Sequence, residues 1–580
     1  MPVVGLGGAR WLESHRVFCV ASVNKWARTR GLRPVRMQVV YDVGRKKAKH
    51  MKGSGMVELR AYEGLIRNHV ELASELGVSI EGCTRREREE RLVVAAYERW
   101  GRDMGAHING QFAIVLYDLA AEELFLTRDP LGAELLFYYR TGDARLLYGT
   151  QIADFFDQPG FVRKLNRDLV QFYLAFNYIP GEETLFDGVC KVEPGGYVVH
   201  GPNGLGFGKF WELEFHPDES KTLDDWADEI TDAMEASLHD ICDADETPDS
   251  FLSGGVDSSY ILAKSRAKTG YCVAYQDQRA SEEADARATA AHLQRNFEGI
   301  EVSPEDFFAT VDEFLLAYEQ PSADVAGLSL FCACKQVAKK STLCFSGEGA
   351  DEFFAGYSVY GRPWRYRLGP KPVYYGSTYI LDPSEQRRFL KCYNPNRSTR
   401  DFMYKRGAKG LKYDPLNWML YVELRSYFEA SILFNSTKIA RGTGLDIRMP
   451  YCDLRIFDIA LRMPSRFKAG KEGNKIALRR AASRVLPNEV AYRRKLGFPV
   501  PVRSWLADPA YNADIRRAFE SPVAAEFFNV DEIRSLLDAF EGRKPAKNAL
   551  WLRRRKDQLW RYVWVVYTFI RWYELFFEQR

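Results

Sequence analysis

Up to about residue 205, apolar and polar positions alternate over short stretches such as Phe112–Tyr117 and Leu124–Thr127, and a helical period separates them, as in Arg85–Trp100. Alternation with period two predicts half-buried strands, and period 3.6 predicts an amphipathic helix. Together they predict an α+β sandwich. From about residue 225 the pattern changes to short, wholly apolar runs such as Tyr271–Tyr275 and Leu343–Phe345, set between helical stretches such as Glu283–Asn296. That alternation predicts a doubly wound parallel sheet covered on both faces. The Gly-rich stretch 201–208 is the expected boundary, which gives domains 1–205 and 206–580. Near the end, Leu559–Phe577 has helical apolar spacing but contains Arg561, Arg571 and Glu574, too polar for an unaided membrane span. It is expected to pack on the second domain, with a membrane-surface helix as the alternative.

Composition adds bounds. With 580 residues, 46% apolar and 14% aromatic, the chain can bury two cores, and a net charge of +3 gives no general argument for nucleic acid. The ten cysteines form no Cys-x-x-Cys pair, the nearest couple being Cys332 and Cys334, so they read as buried thiols of a reducing cytoplasm. Met1–Gly8 has neither the basic start nor the apolar run of a signal peptide. The basic run from Arg45 to Lys52 reads as a solvated loop, steering of an acidic partner being the alternative.

The chemistry begins at Ser253-Gly-Gly-Val-Asp257-Ser258. Thr247–Leu252 leads in as a strand and Ser259–Ala267 leaves as a helix, so an anion there meets a helix N-terminus with unpaired amides. Gly254 and Gly255 are expected to let the backbone approach closely and to take unusual dihedrals. The hydroxyls of Ser253 and Ser258 add donors, and Asp257 is a hard oxygen ligand suited to magnesium. No Gly-Lys-Ser/Thr follows, so the turn suits pyrophosphate rather than γ-phosphoryl transfer. A second strand, Ser341–Phe345, runs into Ser346-Gly-Glu-Gly-Ala-Asp351. Two such turns can face one crevice at the carboxyl edge of a parallel sheet, where Asp257 and Asp351 would share the magnesium of ATP.

These segments resemble the asparagine synthetase B family, and further motifs follow in that family's order: Asp446-Ile-Arg-Met-Pro-Tyr-Cys-Asp453, Arg494-Lys-Leu-Gly-Phe-Pro499 with Trp505, and upstream the stretches 109–118, 128–132 and 183–189. The resemblance implies an amino-terminal Ntn-hydrolase-like sandwich followed by an α/β ATP-pyrophosphatase (adenine nucleotide α-hydrolase-like) domain. It also implies a cytoplasmic carbon–nitrogen ligase that uses ATP and Mg2+. Leu252, Ser253, Gly254, Gly255, Asp257, Ser258, Ser346 and Gly347 would bind ATP, and Asp257 and Asp351 would hold the metal. Lys495 would stabilise charge on the α-phosphate and the tetrahedral intermediate, and Glu348 would take the proton from the attacking amine. The partners are then a small-molecule or peptide carboxylate and an amine or ammonia donor. A homodimer is compatible with the sequence.

The amino-terminal half departs from the glutamine-dependent pattern, in which a first-residue cysteine attacks glutamine. This chain begins Met-Pro-Val-Val; Glu63 stands where an oxyanion-stabilising asparagine is expected, Leu65 replaces a ligand-binding glutamate, and Arg88-Glu-Glu-Arg91 replaces Ser-Asp-x-Glu. The expectation is a glutaminase without activity. The alternative is a glutamine-dependent asparagine synthetase with Cys19 exposed by processing, although Val17–Ala21 reads as a core strand. Glu348 separates the chain from β-lactam synthetases, which carry tyrosine at that point of a Tyr-Glu dyad. Lasso peptide cyclases, a second relative with a degenerate first domain, have a turn less like this one. Thr437 in place of an acid and Arg441 in place of methionine suggest an altered substrate pocket.

Overall fold

The computed structural model describes residues 39–41, 57–277, 281–494, 497–543 and 556–578. The expectations for Val17–Ala21, Cys19, the basic run and Lys495 fall outside them.

The first part holds two antiparallel sheets. One has the order β2-β3-β4-β8-β9, from β2 (Val57–Ile66), β3 (Gly110–Asp118), β4 (Glu123–Arg128), β8 (Gly196–Gly201) and β9 (Gly204–Lys209). The other is β1-β6-β5-β7, from β1 (Val39–Tyr41), β5 (Phe137–Arg140), β6 (Leu146–Gly149) and β7 (Val189–Lys191). The alternation along β3 explains the layering. Ala113 and Val115 share a core with Leu136, Leu146 and Tyr148 from around the second sheet, whereas Phe112, Ile114 and Leu116 pack on Leu92, Val93 and Ala96. Those last three belong to α1 (Arg85–Trp100), whose start is fixed by a Thr84–Glu87 capping box. The Gly-rich stretch 201–208 turns the β8–β9 hairpin, so the first sheet continues to Lys209, past the expected boundary.

The second part is built on a wholly parallel sheet, order β12-β11-β10-β13-β14. Its strands are β10 (Asp249–Phe251), β11 (Thr269–Ala274), β12 (Asn296–Glu301), β13 (Leu343–Phe345) and β14 (Asp446–Arg448). The order runs outward from β10 on one side and from β13 on the other, so the switch point lies between them. Two expectations need correction. The helix after β10, α2 (Val256–Lys264), starts three residues before Ser259 because Gly255 is its N-cap. The helix predicted over Glu283–Asn296 ends at His292, and Asn296 opens edge strand β12 instead.

The terminal helix α3 (Leu559–Tyr573) buries Trp564 and Trp572 in the main core, as its apolar spacing requires. Among the described residues no helix is long and apolar enough to cross a membrane.

Candidate active site

Both Gly-rich turns leave the carboxyl ends of the two strands at the switch point. In the first, the Ser253 amide donates to Ser258 Oγ at 2.9 Å, the two hydroxyls lie 3.1 Å apart, and the Gly255 amide donates to Ser253 Oγ at 3.1 Å. The turn closes on itself and leaves the first-turn amides of α2 without a side-chain cap. Gly254 and Gly255 do not take positive φ, contrary to expectation. Their requirement is space: a Cβ on Gly254 would lie 2.8 Å from Asp285 Cβ, and one on Gly255 would lie 3.2 Å from Ser253 Oγ.

The second turn abuts the first. A Cβ on Gly347 would lie 3.5 Å from Asp257 Cβ and 3.6 Å from the Ser258 amide nitrogen. Ser346 Oγ donates to Glu348 Oε2, which fixes that carboxylate over the turn. Gly349 has φ +97°, and a Cβ there would crowd Tyr451 and Cys452. The segment after β14 supports both turns from below, since Tyr451 Oη donates to the Asp257 carbonyl at 3.2 Å and Cys452 Sγ reaches the Glu348 carbonyl at 3.8 Å.

The group that unites the turns is one the sequence analysis missed. Lys475 is 2% exposed, and its Nζ lies 2.5 Å from Asp257 Oδ2 and 2.6 Å from Asp351 Oδ1. It has φ +58°, a conformation costly for a side-chain-bearing residue, held where its chain position is otherwise fixed. Its neighbour Asn474 donates to the carbonyls of Gly356 and Tyr357 at 3.0 and 2.8 Å. Gly356 in turn has no room for a side chain, because a Cβ would overlap Asp351 Oδ1 and Lys475 Cε. Gly356→Ala is therefore expected to force the Lys475–Asp351 pair apart and lower pyrophosphate release about 10²-fold or more, as displacements near 1 Å do; activity within threefold of wild type would contradict this.

Lys495 itself is outside the described residues, but the approach to it is anchored. Arg479 donates to the carbonyls of Ala491 and Arg493 at 2.7 and 2.9 Å, and Arg493 donates to the Gly254 carbonyl at 2.8 Å. Arg493 thus reaches the first Gly-rich turn, two residues before Lys495. The sequence signals for these groups are weak: a lysine and an arginine four apart, Lys475 and Arg479, at a helix start.

The segment Thr437–Asp446 is placed otherwise than expected. Thr437 Oγ1 donates to the Ala133 carbonyl at 2.6 Å, Lys438 pairs with Glu319, and Arg441 donates to the Thr150 carbonyl at 2.7 Å and to Glu134 Oε2 at 2.8 Å. Thr437 and Arg441 thus face the amino-terminal part, whereas Lys438 pairs within the second part.

Several positions singled out in the amino-terminal part are engaged by protein groups, Arg88 by one of the second part. Glu89 accepts from the Ile66 amide at 2.9 Å and the Tyr62 hydroxyl at 3.1 Å, and burial pushes its carboxyl up to about 7. Arg88 pairs with Asp243 at 2.5 Å. Glu63 is raised by burial, against the pull of Arg441 and Arg86. Other motifs of this half join the two parts: Asn109 donates to Asp453 Oδ1 at 2.9 Å, and Arg128 and Lys191 meet Glu429 at 2.9 and 3.1 Å.

The parallel sheet carries two such turns at its switch point, with acidic groups drawn together by a lysine, and the family it matches is one of ATP-dependent carbon–nitrogen ligases. Residues 229–574 match the family described as asparagine synthase, and residues 30–211 match the glutamine amidotransferase domain. The chain belongs to the asparagine synthase family. It is 28% identical over 565 residues to asparagine synthetase (glutamine-hydrolyzing) 1 of Bacillus subtilis, covering 90% of this chain and 86% of the relative. It is 25% identical over 474 residues to asparagine synthetase (glutamine-hydrolyzing) 3 of the same organism, covering 76% and 75%. Glutamine phosphoribosylpyrophosphate amidotransferase of B. subtilis, solved with ADP and GMP, is 15% identical with a TM-score of 0.21, covering 45% of this chain and 50% of that one.

Proposed function

We propose that the protein adenylates a substrate carboxylate at the two Gly-rich turns and passes the acyl group to ammonia or an amine that is not drawn from glutamine. The observation that carries the first half is the bridge from Lys475 to Asp257 and Asp351, one acid from each turn. Ser253, Gly254, Gly255, Ser258, Ser346 and Gly347 would hold the leaving pyrophosphate through amides and hydroxyls, with Leu252 against the nucleotide, and Lys475 would add charge. Asp257 Oδ1 is buried with no hydrogen-bond partner among the described residues. That hard oxygen, with the Asp351 carboxylate, fits the magnesium that ATP brings. The ion would neutralise charge on the departing phosphates. Glu348, held by Ser346, would accept the proton of the incoming amine, and Lys495 would steady the α-phosphate. The nine described cysteines are free, in keeping with a reducing cytoplasm.

The amino-terminal part supports this nitrogen source. A glutamine site needs open donors and a carboxylate free to meet an amino group. Here Arg88 and Glu89 are spent on Asp243, Ile66 and Tyr62, and by the family resemblance Glu63 would stand where an amide serves an oxyanion. Between the two parts, Arg441 spans Glu134 and the Thr150 carbonyl. A second reading, a glutamine-dependent asparagine synthetase, is favoured by the names of the relatives.

Pyrophosphate release across a panel of carboxylates, with glutamine, ammonium and no added nitrogen compared in parallel, separates the two. We expect release that depends on a carboxylate, and amide formation with ammonium or a substrate amine but not glutamine. Amide formation driven by glutamine would overturn the proposal on nitrogen, and release with no carboxylate dependence would overturn the proposal on adenylation.

A further inference from the structure

Four residues after Lys475, Arg479 makes contacts that the chemistry described above does not explain. It stands in the first turn of the helix Ile476–Ala482. Its Nε donates to the Asn474 carbonyl at 2.9 Å, and its Nη1 donates to the carbonyls of Ala491 and Arg493 at 2.7 and 2.9 Å. Among the described residues every hydrogen bond of this guanidinium goes to a main-chain carbonyl, on two segments separate in sequence. Burial lowers its pKa while Asp257 and Asp351 pull the other way, so it sits in the field of both acids. A cation bound to carbonyls alone contributes geometry: its planar fork fixes several acceptors at set angles, as a flexible ammonium does not.

The contacts close on themselves. Arg493 Nη1 donates to the Gly254 carbonyl at 2.8 Å, and its Nη2 lies 3.5 Å from Asp285 Oδ1 on the helix Glu283–His292, which abuts the same turn. From Gly254 the chain runs three residues to Asp257, whose Oδ2 lies 2.5 Å from Lys475 Nζ. One residue back, the Asn474 carbonyl is held by Arg479; Arg479 holds the Arg493 carbonyl, and Arg493 holds Gly254. The ring passes through the peptide that enters Lys475, where φ is +58°. Such a conformation persists only where its surroundings over-determine it, and Arg479 Nε supplies one of the holds.

We propose that Arg479 and Arg493 are positioning residues for adenylation, closing a ring of contacts that fixes Lys475 against the first Gly-rich turn. The inference rests on the adenylating role of the two turns. Arg479 acts through the main chain on either side of it, and Arg493 acts through the Gly254 carbonyl. The two differ in what they must span. Arg479 bridges two segments and needs the whole fork, whereas Arg493 supplies the turn with a single donor that another long cation can replace. A ring also has a signature that independent supports lack: once it is open at one arginine, removing the other changes little.

The test uses the full chain and the carboxylate that best supports exchange of ATP with pyrophosphate, a measurement that needs no nitrogen donor. Arg479→Ala and Arg493→Ala are each expected to lower kcat at least about tenfold, as small displacements at a reacting centre do. The KM for ATP is expected to stay within about threefold of wild type, since what is lost is alignment in the transition state. The double variant is expected within about threefold of the slower single one. Arg493→Lys is expected to recover most of the turnover lost in Arg493→Ala, whereas Arg479→Lys is expected to stay close to Arg479→Ala. That contrast is one that a general loss of stability would not produce, and the two lysine variants carry the test should the alanine variants not fold. Turnover of Arg479→Lys within about twofold of wild type, or a double-variant loss equal to the product of the single losses, overturns the ring. Absence of carboxylate-dependent exchange in the wild-type protein sinks the adenylation reading and this inference with it, whereas exchange that is present and unmoved by the variants sinks the ring alone.

Discussion

Lys475→Ala is expected to reduce carboxylate-dependent pyrophosphate release at least about 10³-fold, at the upper end of losses seen when a preorganised electrostatic partner is removed. The side chain lies 2.5 and 2.6 Å from two carboxylates that come from different turns. Without it, Asp257 and Asp351 face each other at side-chain exposures of 15% and 12% with no intervening charge. Breaking a buried pair by removing one partner costs about 3–5 kcal/mol, because the remaining charge is left uncompensated. The loss of function should therefore come with a lower denaturation midpoint, part of which magnesium would restore by replacing the ammonium between the acids. Arginine is not a conservative replacement, since its planar fork is broader than the ammonium and Gly356 stands against Lys475 Cε. A Lys475→Ala protein that released pyrophosphate within tenfold of wild type would remove the lysine from the site.

The largest effect on stability is expected at Glu429. It accepts from Arg128 and Lys191, and the side chains of all three are 0–4% exposed. The pair of cations belongs to the amino-terminal sheets and the carboxylate to the second part. Burial would raise the Glu429 carboxyl, yet Lys191 and Arg128 hold it below its ordinary value. Glu429→Ala strands two buried cations, so we expect a loss of about 3–5 kcal/mol in urea denaturation. Adding Lys191→Met to it should recover part of that loss by removing one orphaned charge. A single-variant loss under about 1 kcal/mol would mean that the cations find other partners.

The turns were legible because everything they need is local: an apolar strand, glycines, hydroxyls and the first turn of a helix lie within a dozen residues. The start of α2 was misjudged by three residues because Gly255 caps the helix with no capping side chain to mark it. Lys475 was not legible, since its pairing with Asp257 spans 218 residues and depends on a backbone conformation that sequence patterns do not encode. Thr437 and Arg441 were recognised as unusual but assigned to a pocket; helical periodicity gives a polar face without saying which neighbour it meets. Glu283–Asn296 failed for a related reason, because the step from helix to edge strand within a polar stretch leaves little periodic signal.

The contacts of Asn109, Arg67 and Arg128 bear on what the amino-terminal part is for. Asn109 donates to Asp453 and accepts from the Leu454 amide, Arg67 donates to the Met449 carbonyl, and Arg128 meets Glu429. Each of these partners lies in the second part, and three of them lie in or beside the segment that props up both Gly-rich turns. A chain cut near residue 210 would bare those groups to solvent and leave the floor of the two turns without its braces. Even if glutamine chemistry were lost, these contacts would leave little freedom to shed the domain, and its sequence could drift only where it does not touch the second part.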